Sequence, residues 1–78
     1  MSHTPHGLAE LFPEQVDQLH TLKLEEPHFA RLEESYHHLN RAIHRAETDI
    51  EPVSDTVMED MKKRRLALLD EIAERLNA

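Results

Sequence analysis

The stretch PHFARLEESYHHLNRAIHRAETDI, residues 27–50, decides the fold. Its apolar positions are Phe29, Leu32, Tyr36, Leu39, Ile43, Ala46 and Ile50, separated alternately by three and four residues without a break. This is the spacing of one face of an α-helix. At about 100° per residue the seven side chains fall within a stripe of about 100°, the width that one partner helix covers. Pro27 suits a first helical turn, where a missing N–H costs nothing, and Pro52 stops the pattern. The spacing therefore predicts a helix from about Pro27 to Ile50.

Toward the C-terminus, Glu51-Pro52-Val53-Ser54 has the length of a connection in a helical hairpin. Ser54 is a good N-cap with Asp55 behind it at the positive end of the helix dipole, and Thr56 with Glu59 offers an alternative capping box. A further helix is predicted from about Asp55 to Leu76. Both long helices then span ~35 Å, so their lengths match. The fold class is all-α: an antiparallel, coiled-coil-like helical hairpin preceded by a short N-terminal helix. Folding the chain about its turn pairs positions whose numbers sum to roughly 105, as antiparallel seam packing requires. Phe29 then faces Ile72 and Leu76, Tyr36 lies near Leu68 and Leu69, and Ile43 lies near Met61. The expected seam is Phe29, Leu32, Tyr36, Leu39, Ile43, Ile50, Met61, Leu68 and Ile72. Arg65 falls beside Asn40, either as a polar pair that fixes register or with the arginine snorkelling outward.

The last helix is apolar over a wider arc. Val57, Met58, Met61, Leu68 and Ile72 make one stripe, which Leu66, Leu69, Ala73 and Leu76 extend to about half the circumference. One narrow partner cannot cover that. The surplus must pack against the first helix, a second subunit, or both, so Leu66, Leu69, Ala73 and Leu76 form a candidate oligomer face.

Toward the N-terminus, Leu8, Leu11, Phe12, Val16, Leu19 and Leu22 recur at helical spacing, and Pro13 with Glu14 suits a first turn. A short helix is expected from about Pro13 to Leu24, closed by Pro27, which disfavours α geometry in the residue before it. Residues 1–7 carry no periodic pattern and read as a disordered tail, leaving residues 8–78 as a single helical domain.

The run Pro27-His28-Phe29-Ala30-Arg31-Leu32, followed by Tyr36, Leu39-Asn40, Ile43 and Arg45, then Leu66-Ala67-Leu68 with Asp70-Glu71-Ile72, resembles the YdcH family of small bacterial proteins over about residues 12–76. The resemblance implies a short helical or coiled-coil protein of the bacterial cytoplasm and supplies no activity. Two positions depart from the family pattern: Glu26 stands before Pro27 where a shorter Asp or Asn would cap better, and Met61 replaces the more usual Leu.

Composition narrows the function. A chain of 78 residues buries only ~60% of its unfolded surface, so its core is thin and self-association is the cheapest supplement. It has no cysteine, which excludes disulfides, thiolate metal sites and thiol catalysis. The first residues lack a positive region and an apolar run, and no apolar stretch approaches the ~20 residues of a membrane span, so a soluble cytoplasmic protein with no membrane partner is expected. The net charge of −7 is the wrong sign for a general nucleic-acid binder. Seven histidines, whose reference value is ~6.5, would cancel that charge on protonation.

Histidines 37, 38 and 44 invite a metal reading, but helical ligand pairs sit three or four apart and these do not; His3 and His6 have that spacing only in the expected tail. Glu33 with His37 and Glu34 with His38 are i, i+4 pairs that account for two of the histidines without a ligand. The run Lys62-Lys63-Arg64-Arg65 is a candidate nucleic-acid contact. Four consecutive helical residues point four ways, however, and Glu59–Lys63, Asp60–Arg64 and Glu71–Arg75 offer self-neutralising pairs. A lone glycine excludes a phosphate-cradling loop, Ser2, Ser35 and Ser54 have no triad partners, and a chain this small rarely offers a catalytic pocket. No catalytic residue, metal or cofactor is expected. The reading is a non-enzymatic protein–protein interaction module that self-associates and binds another protein. The alternative is an RNA- or ribosome-associated accessory protein using Lys62, Lys63, Arg64 and Arg65.

Overall fold

Proline and serine set several of the helix boundaries in this chain. The computed structural model describes residues 7–48 and 52–77, and every regular element among them is helical. In chain order these are α1 (Leu8–Leu11), a 3₁₀ turn (Pro13–Gln15), α2 (Val16–Glu25), α3 (Pro27–Glu47) and α4 (Asp55–Leu76). The expectations for residues 1–6 and for the seam residue Ile50 lie outside the described residues.

Pro13 splits the N-terminal segment. Having no N–H, it cannot continue α1, and it opens a tight turn that passes into α2 rather than a single helix from Pro13. At the other end of α2, Glu26 is extended (φ −119°, ψ 107°), the geometry that a following proline imposes, and Pro27 takes the first turn of α3. Glu26 makes no side-chain cap. Its longer side chain instead reaches α4, where its Oε1 accepts a hydrogen bond of 3.1 Å from Arg75 Nη1. Ser54 caps α4: its Oγ accepts from the Val57 N–H at 3.2 Å.

The polar contacts between α3 and α4 run in opposite chain senses. Glu47 meets Lys62 (3.3 Å), Asn40 meets Arg65 (3.0 Å) and His28 lies 3.7 Å from Glu71. Between these polar flanks, Phe29, Leu32 and Tyr36 of α3 and Ile72 and Leu76 of α4 share one core with Leu8 and Leu19, and Phe12, Leu22, Leu68 and Leu69 pack half-buried against it. Ile43 and Ala46 are buried farther along α3. The longest dimension, 37 Å, is little more than the ~33 Å of the 22-residue α4, so that helix sets the length of the molecule.

The N-terminal elements cover part of the α3–α4 pair. Leu8 and Leu19 enter the core, and Gln18 Nε2 donates to the Leu76 carbonyl at 2.7 Å, satisfying one of the free carbonyls at the end of α4. Lys23 reaches Glu33 on α3 at 3.5 Å.

Candidate interaction surface

The expected seam residues separate by depth. Phe29, Leu32, Tyr36, Ile43 and Ile72 are buried, whereas Leu39, Met61 and Leu68 are half-buried. Asn40 is buried at 3% exposure and accepts from Arg65, so the polar pair is made inside the structure and the arginine does not simply turn outward.

The candidate oligomer face of α4 needs correction. Leu76 is 3% exposed and belongs to this chain's own core, while Leu69 packs against that core and Ala73 is half-buried. Only Leu66, at 60%, remains open. The reason is the docking of the N-terminal elements: Leu8 of α1, Leu19 and Leu22 of α2 and Phe12 between them share the core that takes up Leu76 and Leu69.

The basic run is largely engaged within the chain. Lys62 pairs with Glu47, Arg64 Nε with Asp60 Oδ2 at 3.1 Å, and Arg65 with Asn40. Asp60–Arg64 is the i, i+4 pair expected, but Arg75 reaches back to Glu26 instead of Glu71, and Glu33 takes Lys23 instead of His37. In the last case the cause is the overlying α2, which brings a permanent cation to a carboxylate buried at 8% exposure, where an unpaired charge would be costly. Tyr36 is fully buried. Desolvation pushes its phenol above the ordinary value, with Arg65 lowering it and Glu10 raising it.

A groove of about 790 Å³ lies on α3 and α4. Leu39, Ala67 and Leu68 form its apolar part, and Arg31, Arg41, Arg64 and His38 surround them together with Glu34 and Ser35. No residue of α1 or α2 lines it. Two smaller clefts of about 350 Å³ each involve Lys23, Glu33 and His37, where α2 approaches α3. The sequence carried a signal for the large groove that periodicity of apolar residues does not reveal: Arg31, Glu34, His38 and Arg41 recur at spacings of three, four and three, which places them on one helical face. Among the described residues no group of three His, Asp or Glu side chains is arranged to hold a metal ion, and no helix is long and apolar enough to cross a membrane.

Fold and surface together define a small all-helical protein with a core shared by its helices and an open, arginine-flanked groove. A family model described as a protein of unknown function (DUF465) matches residues 29–76, more than half of the chain. The chain belongs to this family, which is the YdcH family that its residues resemble. No curated protein and no solved structure matches it.

Proposed function

We propose that this protein is a non-enzymatic helical interaction module of the cytoplasm, an antiparallel hairpin with a coiled-coil-like seam that self-associates and, assembled, binds another protein. The observation that carries the reading is the groove on α3 and α4. Its apolar floor of Leu39, Ala67 and Leu68 is uncovered by the N-terminal elements and is bordered by arginines, a residue type enriched at protein interfaces. A thin single-chain core adds a reason for self-association, since a short helical domain gains stability from burying further apolar surface.

Sedimentation velocity over a wide concentration range tests this. The expected result is a mass that rises with concentration to a dimer or larger species. A monomer at every concentration up to the high micromolar range would refute self-association. RNA association through the basic run is the weaker reading, because Lys62, Arg64 and Arg65 all contact side chains of the same molecule.

A further inference from the structure

We infer that the occupant of the groove is the outer face of α2 from a second copy of the chain, so that assembly proceeds head to tail. This inference rests on the self-association proposed above and names its two surfaces. The first is the groove. Arg31 and Arg41 have no ion-pair partner among the described residues, and Arg64 commits only its Nε to Asp60. Against these three cations the lining holds one acid, Glu34, so the groove is locally positive on a chain of net charge −7.

The second surface has the opposite charge. Within α2 the acids are Asp17 and Glu25, both exposed, and its one base, Lys23, is held by Glu33 of α3. Leu19 and Leu22 turn into the chain's own core, and helical geometry places Asp17, Thr21 and Leu24 on the other side of α2. Leu24 is 73% exposed, more than any other large hydrophobic side chain described. An exposed leucine on a helix that also exposes the carboxylates of Asp17 and Glu25 matches a groove with a leucine–alanine floor bordered by guanidinium groups, the arrangement of a helix laid in a groove. From Arg31 to Arg41 the groove follows α3 for about 15 Å, the length of the ten-residue α2.

Because the two surfaces differ, the contact is heterologous. Each copy offers one groove and one α2, and copies add until a ring closes or a filament grows. Steering between unlike charges also makes the contact weaken with salt.

The test uses two full-length variants whose changes lie on exposed residues, with circular dichroism and thermal melting to verify the fold. The groove variant carries Arg31→Glu and Arg41→Glu, and the helix variant carries Asp17→Ser and Leu24→Ser. Sedimentation velocity should find each variant monomeric at concentrations where the wild type assembles. Mixed in equal amounts they should form a heterodimer and nothing larger, since only one intact groove and one intact α2 remain. A wild type that assembles while either variant assembles as well as it does would overturn the inference and leave self-association standing. So would variants that stay monomeric when mixed. A monomeric wild type removes the inference together with the reading beneath it.

Discussion

Tyr36 is the only tyrosine in the chain and there is no tryptophan, so tyrosinate absorbance reports this one buried phenol. Burial raises its value, which means the folded state holds the proton more tightly than the unfolded state. The sign follows: its contribution to stability is intact below the unfolded value of about 10 and is lost as pH rises from there through the folded value. An ultraviolet titration of the native protein should therefore reach its midpoint above that of the urea-unfolded chain, and coincident midpoints would contradict the buried phenol. Asn40 carries a second prediction at this scale. It is buried and accepts from Arg65, so Asn40→Ala strands the guanidinium donor and should cost about 1–3 kcal/mol in urea unfolding. An effect under about 0.5 kcal/mol, the range of neutral surface changes, would mean that Arg65 finds water instead.

At the scale of elements, helix ends follow local chemistry and helix docking does not. Ser54 satisfies one free N–H of α4, and Ser54→Ala should destabilise the protein by about 1 kcal/mol, while Ser54→Asp, which keeps an acceptor at the positive end of the dipole, should not. Equal losses in both would show that the hydroxyl is not acting as a cap. The start of α3 at Pro27 and the span Asp55–Leu76 of α4 were readable from sequence because a proline, a capping serine and an unbroken apolar period fix them. The division of the N-terminal segment was not: Pro13 is compatible both with opening one helix and with a 3₁₀ turn between two. Periodicity also gives the width of an apolar face without saying what covers it. Hence Leu76 reads as surplus on α4 alone, yet in three dimensions it shares a core with Leu8, Leu19 and Phe29. Ion pairs failed in the same way, since Glu33 and Arg75 have good neighbours on their own helices and better ones on others. The groove is not legible in the apolar period because its border is polar, Arg31, His38 and Arg41.

The whole molecule is governed by its charge. Sixteen acids outnumber nine lysines and arginines, and seven histidines bring the isoelectric point to about 5.4. Between pH 7 and that point the net charge passes from −7 toward zero, and the mutual repulsion that keeps copies apart fades. The contact proposed between α2 and the groove would weaken less, since arginine stays charged over this range and a carboxylate of ordinary value, about 4, is mostly ionised at pH 5.4. Loss of general repulsion with retention of local attraction should make assembly stronger and solubility lowest near pH 5.4, with recovery of solubility below pH 4 as the carboxylates protonate and the chain becomes cationic. Light scattering of the wild type from pH 7.5 to 3.5 at low salt checks the course, and added salt near the minimum separates its two components. Salt that dissolves the assembled material identifies attraction between unlike charges. Salt that leaves it unchanged assigns it to apolar contact, and scattering that stays flat across the whole range would exclude a role for net charge in keeping the copies apart.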